Sequence, residues 1–368
     1  MTISLQYSSR TPRTPRTPRP PCAGGFSIPE LLVAVTIGLL ILAGMITLFA
    51  RNSRAEAEIE RANQQIESGR YAVDLLTNDL GNAGFYGEFD PTLLPGLSAV
   101  PDPCAATLTA LKSMLPLHVQ GYDSGDTAPT CVSDVKSGTD LVVVRHTRAC
   151  VSGDPNCSGN DPAGPLFQAS LCTNASELGS ADPTNWYALD TDPAQLTRHQ
   201  RDCSPTAGSG TPAVARRFQT HIYYVANNDQ SGDGIPTLKR AELRYTGGQL
   251  VFVKVPLVEG VENLQIEYGI DTDGDGVVDV YTSTPAAANG CAQPDCAAAN
   301  WRNVMAVRVH VLARSPSATP GYVDSKTYVL GMKADGSANS VGPFRDGFQR
   351  HVFQSLVPLL NPIGRKQQ

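Results

Sequence analysis

The residues whose spacing most clearly favours a chemical role are the aspartates of the stretch DTDGDGVVD, at positions 271–279. Calcium binds six to eight oxygen atoms, and carboxylates that alternate along a glycine-containing turn supply several of them at short range. The sequence therefore predicts a Ca2+ site. Its expected ligands are the side chains of Asp271, Asp273, Asp275 and Asp279 and the carbonyl oxygen of Val277. The alternative is an acidic turn without a ligand, since Asp and Gly both favour turns.

Glu30 is the second residue of chemical interest, because it lies at the start of an apolar run in the stretch GGFSIPELLVAV. A carboxylate at the edge of a bilayer core is energetically costly and is usually retained for a function. One interpretation is a helix cap, because Ser27 and Glu30 fit the capping-box pattern S-x-x-E. Capping alone leaves the preceding Gly-Gly-Phe step and the basic tail before it unexplained.

The apolar run that follows Glu30 has the length of a membrane-spanning helix. Residues 31–50 are 20 consecutive uncharged positions, and a helix of this length spans about 30 Å, the thickness of the hydrocarbon core of a bilayer. The 25 residues before Phe26 contain four arginines and no acidic residue. By the positive-inside rule, the N-terminus is expected in the cytoplasm and the rest of the chain across the membrane. No small-residue cleavage site of the secretory type follows the run.

Cysteine usage indicates an oxidising compartment. Of the nine cysteines, Cys22 lies in the basic tail, and the other eight lie in long connections rich in Gly, Pro and Asp. Disulfides are favoured over zinc, because no C-x-x-C occurs and the six histidines show no metal-binding spacing. Eight cysteines allow 105 connectivities. Proximity along the chain favours, first, Cys150–Cys157 and Cys291–Cys296, and then Cys104–Cys131 and Cys172–Cys203.

The helix is expected to continue beyond the membrane run as an amphipathic segment with one apolar face. That face consists of Ile59, Ala62, Ile66, Val73, Leu76 and Leu80. It indicates either a coiled-coil seam or, as we favour, packing on the protein's own sheet. Gly81 and Gly84 are expected to end the helix.

After the helix, alternating apolar residues that are mostly β-branched or aromatic predict six strands. Their predicted bounds are 140–146, 220–226, 241–245, 249–255, 264–270 and 304–313. Three long connections, at about 90–135, 148–215 and 282–300, carry the eight cysteines. Connections of that length in a compact domain are usually functional surfaces or are fixed covalently.

Charge and motif content argue against two classes of function. The formal charge is −6, and an acidic chain does not favour general binding to the phosphate backbone of nucleic acids. None of the motifs G-x-S-x-G, H-E-x-x-H and G-x-x-x-x-G-K-[ST] occurs in the chain. A membrane-tethered hydrolase is therefore disfavoured, and we expect a protein that is not an enzyme.

The N-terminal segment resembles the class III signal of type IV prepilins, since a basic leader and a Gly25-Phe26 step precede Glu30 and the apolar run. In that family a prepilin peptidase cleaves after the glycine on the cytoplasmic side, and the new N-terminal Phe is methylated. The resemblance implies cleavage between Gly25 and Phe26. It also implies that the carboxylate of Glu30 pairs with the N-terminal ammonium of a neighbouring subunit in a helical bundle. Pro29 departs from the usual aliphatic residue, but proline is tolerated in a first helical turn.

Three further stretches resemble the PilW family of minor pilins, which is related to the J-type pseudopilins of type II secretion. They are SGRYAVDLLTNDLGNAGFYG, VPLVEGVENLQIEYGIDTDGDG and WRNVMAVRVHVLARS. The resemblance implies an α+β, pilin-like fold, in which a long N-terminal helix, transmembrane and then amphipathic, packs on an antiparallel β-sheet domain with long disulfide-pinned loops. It implies a cleaved cytoplasmic leader at residues 1–25, a helix at 26–83 and an extracytoplasmic head at 84–368.

The same resemblance implies a role in priming or capping a type IV pilus near its tip. The expected partners are the prepilin peptidase, the major pilin, other minor pilins and a tip adhesin. The chain would first be a single-pass inner-membrane protein with its head in the periplasm, and would then join the pilus at the cell surface. Two alternatives remain, namely a J-type pseudopilin of type II secretion and a membrane-tethered module for adhesion or DNA binding.

Overall fold

The computed structural model describes residues 25–157, 163–204, 206 and 208–367, so the expected leader lies outside the described residues except for Gly25. Contacts divide the chain into two compact units, Met1–Ala57 and Glu58–Gln368. The first helix runs through both units, from Ile28 to Gly81. The α-helices of the described residues are α1 (Ile28–Gly81), α2 (Leu108–Met114), α3 (Pro294–Arg302) and α4 (Leu360–Lys366).

The first unit consists, in its described part, of the N-terminal half of α1. Every residue from Gly25 to Glu56 is exposed in the isolated chain, including all the large aliphatic side chains of the apolar run. The helix is long and apolar enough to cross a membrane. Apolar side chains that find no partner in their own chain require another apolar environment, which a bilayer or neighbouring helices supply.

The described part of the second unit contains thirteen strands, which include the six predicted ones. Their bounds are β1 Val119–Tyr122, β2 Leu141–Thr147, β3 Leu166–Ala169, β4 Tyr187–Asp190, β5 Ala215–Ala226, β6 Thr237–Thr246, β7 Gln249–Glu259, β8 Val261–Ile270, β9 Val280–Thr282, β10 Val304–Arg314, β11 Tyr328–Met332, β12 Ala338–Val341 and β13 Arg350–Pro358. The strands β1, β3 and β4 lie in segments that the sequence analysis treated as long connections. Each has only four residues, which is too short for a period of two to be recognised.

The strands form antiparallel sheets. The largest has seven strands in the order β1-β2-β5-β3-β4, with β6 paired to β5 and β7 paired to β6. A second sheet has the order β13-β10-β8-β9, and β11 pairs with β12. The main apolar core combines residues of β1, β2 and β5 with residues of β8 and β10, and Leu76 and Leu80 of α1 belong to the same cluster. The α+β architecture predicted from the resemblance is therefore confirmed.

The face that α1 buries differs from the predicted stripe. Val73, Leu76 and Leu80 pack in the core as expected, whereas Ile59 and Ile66 are 62% and 40% exposed. The buried positions of the second half of the helix are Gln65, Gly69, Ala72, Leu76 and Leu80. These are small or polar toward the N-terminal end because the helix lies very close to the ends of β10 and β13 there.

Gln65 and Gly69 are the residues through which α1 approaches these strands closely. The amide of Gln65 donates to the carbonyl oxygens of Ala313, at 2.9 Å, and of Gln349, at 3.1 Å. A Cβ atom on Gly69 would lie 2.1 Å from the ring of Phe353, well inside van der Waals contact. Hydrophobic periodicity cannot predict these buried positions, because glutamine is polar and glycine has no side chain.

Four disulfides cross-link the long connections. They join Cys104 to Cys131, Cys150 to Cys157, Cys172 to Cys203, and Cys291 to Cys296. These are the four pairs that proximity along the chain favoured. Each bridge joins two consecutive cysteines of the chain, so no bridge encloses or interleaves with another.

The packing at Gly69 predicts the effect of a single methyl group. We expect Gly69→Ala to lower the free energy of unfolding by about 1–3 kcal/mol, since the added Cβ must displace the Phe353 ring. Gly81→Ala is the matched control, because a Cβ at Gly81 meets no atom within 4 Å. Alanine has the higher helix propensity at both positions, so only Gly69→Ala should lower the thermal midpoint of the purified chain. Equal midpoints for the two variants would contradict this account of the interface.

Candidate functional sites

The predicted site residues of the N-terminal segment are exposed. Gly25 and Phe26 precede α1, and the Phe26 side chain is 85% exposed. One carboxylate oxygen of Glu30 accepts hydrogen bonds from the Ser27 backbone N–H, at 3.4 Å, and from its hydroxyl, at 3.2 Å. This is the half of the predicted capping box in which glutamate reaches back. The Glu30 carboxylate is exposed, so the cap does not prevent it from contacting a partner.

The acidic loop of residues 271–279 connects β8 to β9, which pair through Ile270 and Val280. Asp271, at its start, is fully buried. Ligand atoms of Asp271, Asp273 and Asp275 all lie within 4.8 Å of one another, which is close enough to hold a cation. The structure thus brings together three of the five predicted calcium ligands.

Asp279, the fourth predicted carboxylate, is not among the side chains of this close group. The Asp279 carboxylate accepts from the backbone N–H of Thr272, at 2.7 Å, and from its hydroxyl, at 2.6 Å. These two hydrogen bonds hold the pKa of Asp279 below its usual value. The backbone N–H of Val277 donates to Asp275 at 2.7 Å.

The loop is shaped by hydrogen bonds to its own aspartates. The two carboxylate oxygens of Asp271 accept from the backbone N–H groups of Gly274, at 2.6 Å, and Gly276, at 2.9 Å. Both glycines have a positive φ, of +89° and +84°, which side chains with a Cβ rarely adopt. Each carboxylate oxygen keeps a second lone pair free for another ligand.

Helix α4 adds a positive charge to the acidic loop. Lys366 donates to the side chain of Asn303 at 3.1 Å, and its Nζ lies 3.8 Å from a carboxylate oxygen of Asp271. The Lys366 side chain is 25% exposed, so it has a route to solvent. The loop therefore has one cationic side chain that a bound metal ion would have to displace or tolerate.

A second group of possible metal ligands, which the sequence analysis did not identify, consists of Asp79, His146 and His221. Asp79 lies near the end of α1, His146 on β2 and His221 on β5. One oxygen of Asp79 is 2.8 Å from Nε2 of His146, and the other is 2.8 Å from Nδ1 of His221. The three residues line a cavity of about 700 Å3.

Electrostatics in this cavity couple the three side chains. Burial alone would raise the pKa of Asp79, but attraction to His221 and hydrogen bonds from both histidines hold it well below its usual value. Burial opposes the charged form of His146, but the hydrogen bond to Asp79 and its charge raise the pKa of His146. The site therefore favours an ionised Asp79 carboxylate with a positive charge next to it.

Spacing along the chain could not reveal this group. Asp79 is 67 residues from His146 and 142 residues from His221. The pairing of β2 with β5 brings the histidines together, because His146 is opposite Gln219 and His221 lies two residues further along the same strand. The available signal was that both histidines lie in predicted strands, but the register between those strands was unknown.

Two other histidines bind single carboxylates. Nδ1 of His199 is 2.7 Å from Glu177, and Nε2 of His310 is 3.0 Å from Glu267. Ser170 donates its hydroxyl to Glu177 at 2.5 Å. In a catalytic triad of the serine-hydrolase type the histidine would lie between the serine and the acid, which differs from this arrangement.

Comparison with known protein families relates part of the chain to one of them. The family model for PilW, described as Type IV Pilus-assembly protein W, matches residues 222–361. The matched segment is less than half of the chain and contains the acidic loop, but it excludes the N-terminal helix. No curated protein and no solved structure matches the chain. The match supports the resemblance to the PilW family and implies involvement in type IV pilus assembly.

Proposed function

We propose that this chain is a minor pilin that primes or caps a type IV pilus near its tip. The observation that carries the proposal is a combination of two independent features of the chain. Residues 222–361 match the PilW family, and an exposed apolar helix begins three residues after Gly25, outside the matched segment. A pilus subunit needs both a head and a helix that moves from the bilayer into a helical bundle.

Cleavage between Gly25 and Phe26 would make Phe26 the new N-terminus. A prepilin peptidase would act on this bond at the cytoplasmic side of the membrane, and methylation of the Phe26 amine would follow. Both residues precede the helix and are exposed, which supports access by an enzyme. The leader of residues 1–25, with its four arginines, would hold the N-terminus in the cytoplasm until cleavage.

Glu30 would act in assembly through its charge. Within an apolar bundle of helices, a carboxylate is costly unless it is paired, and the N-terminal ammonium of a neighbouring subunit supplies the partner. The pair forms only when the two helices are in register, so the charge would select one docking geometry. The major pilin and other minor pilins would be the partners, and a tip adhesin would be carried by the resulting complex.

The acidic loop would bind Ca2+ in the periplasm and at the cell surface. Asp271, Asp273 and Asp275 form the core of the site, and the closeness of their oxygens supports it, since like charges at this range repel unless a cation lies between them. Lys366 would swing toward solvent as the ion binds. Asp279 and the carbonyl of Val277 would complete the coordination after a small movement of the loop.

Processing at Gly25 is tested with a bulky substitution. Gly25→Leu should leave the full-length precursor in the membrane, because the peptidase must approach the backbone closely at the cut. Gly38→Leu is the control, since Gly38 lies inside the apolar helix and an added Cβ there meets no atom within 4 Å. Intact mass spectrometry of the membrane fraction measures both. A wild-type mature chain that begins at any residue other than Phe26 would overturn the assignment.

The role of Glu30 is tested by separating its charge from its hydrogen bonds. Glutamine also serves in a capping box, so Glu30→Gln should retain the cap and lose the charge. We expect Glu30→Gln and Glu30→Ala to be processed normally and to be at least about tenfold depleted in sheared pili, as loss of about 1.4 kcal/mol in docking would produce. Glu56→Gln, at an exposed position further along α1, should be incorporated normally. Wild-type incorporation of Glu30→Gln would reduce Glu30 to a helix cap.

Calcium binding is tested by the thermal midpoint of the full chain in detergent. A ligand at a hundredfold excess over its Kd stabilises the folded form by about 2.7 kcal/mol, so the wild type should melt higher in millimolar calcium than in chelator. Asp273→Asn with Asp275→Asn should remove that difference. Glu56→Gln with Glu60→Gln removes the same charge from exposed positions on α1 and should leave the difference intact. Absence of any calcium effect on the wild type up to about 1 mM, the weak end of extracellular modules, would make the loop a plain turn.

A further inference from the structure

We propose that Asp79, His146 and His221 form a binding site for a divalent transition-metal ion of the zinc class, which joins helix α1 to the sheet. All three residues belong to the second compact unit. The proposal concerns a different part of the chain from the acidic loop and from the N-terminal segment. It does not depend on the assembly function proposed above.

The three side chains converge because of the fold and not because of a local motif. His146 and His221 lie diagonally on neighbouring antiparallel strands, where side chains of the same face are within reach of each other. Their rings are 5.8 Å apart and nearly perpendicular. Helix α1 crosses this face and presents Asp79 between the two rings, so that each carboxylate oxygen faces one ring nitrogen at 2.8 Å.

The two contacts of the His146 ring require a positive charge between His146 and Asp79. Its Nδ1 lies 2.9 Å from the carbonyl oxygen of Thr147, an acceptor, so this nitrogen carries the proton. A neutral His146 therefore presents a lone pair on Nε2, which faces the Asp79 carboxylate at 2.8 Å. Two acceptors do not approach this closely unless a second proton or a metal ion lies between them.

The second ring nitrogen of His146 makes the hydrogen bond that is typical of a metal-binding histidine. A histidine that binds a metal through one ring nitrogen usually donates from the other to a backbone carbonyl or a carboxylate, which fixes the ring. Thr147 supplies that carbonyl, and it is itself fixed, since its N–H and hydroxyl both donate to the carbonyl oxygen of Phe85, at 2.7 and 3.0 Å. The orientation of Nε2 is thus set before any ligand arrives.

The chemistry of the donors selects the class of ion. Imidazole nitrogen favours zinc and its first-row neighbours, whereas calcium and magnesium favour oxygen ligands. Zinc lies about 2.0–2.1 Å from nitrogen and oxygen ligands, so adjacent ligand atoms would be about 3.3 Å apart. The two contacts of 2.8 Å are shorter than this value, and the ligand atoms of all three residues lie within 4.8 Å of one another, so the three side chains would adjust around the ion.

The cavity leaves room for a further ligand. Three protein ligands with an open fourth position are typical of accessible zinc sites, and the cavity beside the cluster has a volume of about 700 Å3. Glu242, which pairs directly with His221 across β5 and β6, lines the same cavity. Its carboxylate is held by Arg240 and Arg244, so it offsets one of these two positive charges near the site. A water molecule would occupy the open position.

Zinc content and thermal stability of the full chain in detergent test the proposal. The chain is prepared with Cys22→Ser, which removes the cysteine that none of the four described disulfides uses, and in millimolar calcium, which competes with zinc for the carboxylates of the acidic loop. After removal of metals and dialysis against trace zinc, we expect about one zinc per chain and a higher thermal midpoint in zinc than in a zinc-specific chelator. Cobalt in place of zinc should give the visible absorption bands of a site with nitrogen ligands.

Two variants and one control locate the site. His146→Gln and His221→Gln should each lower zinc affinity at least about tenfold, the lower end of the loss seen when even a supporting residue of a metal site is changed. His351→Gln should retain wild-type binding, because His351 is exposed on β13. Should either ligand variant fail to fold, the cobalt spectrum of the wild type still decides the matter. Zinc content far below one per chain, with no effect of zinc on the thermal midpoint, would overturn the proposal. The three side chains would then be joined by hydrogen bonds alone.

Discussion

One helix has to satisfy two environments, and the rest of the structure depends on how it does so. The first half of α1 exposes every side chain from Gly25 to Glu56, while the second half is packed against the head. The change from one to the other takes place between Glu58 and Gln65, where the first buried side chain appears. An apolar stripe along the whole helix would suit neither half, because packing on the sheets needs a close contact whereas a bilayer or neighbouring helices need an apolar surface all round.

The close contact determines which residues the head can use. At Gly69 the helix leaves no room for a Cβ against Phe353, so the strand β13 lies directly under the backbone of the helix. Ala72, Leu76 and Leu80 then belong to one apolar cluster with residues of the two larger sheets. At the far end Asp79 meets two histidines of β2 and β5, which adds polar contacts where the apolar ones end. A shift of the helix by one residue would disrupt each of these contacts.

Much of the fold was accessible from the sequence because it rests on local signals. The strand of residues 304–313 and the hairpin that turns after Tyr245 follow from alternation and turn chemistry, and all four disulfides join neighbouring cysteines. The features that could not be predicted depend on contacts between segments that are distant in the sequence. The strand β3 is recognisable only once it is paired with β5, and the meeting of Asp79 with His221 requires the helix and the sheet to be placed first. In the acidic loop, spacing predicted the candidate ligands Asp271, Asp273 and Asp275, whose ligand atoms lie close together, but not Lys366, which belongs to α4.

The arrangement of the disulfides has a consequence for biogenesis. Each of the four bridges joins a cysteine to the next one along the chain, over 5 to 31 residues. A chain that is threaded through a membrane from its N-terminal side presents its cysteines in that same order. Each sulfur therefore meets its native partner first, and a simple oxidant is sufficient. Oxidative folding of this domain should not require an isomerase, since reshuffling of wrong pairs, a slow process of seconds to hours, has little to correct.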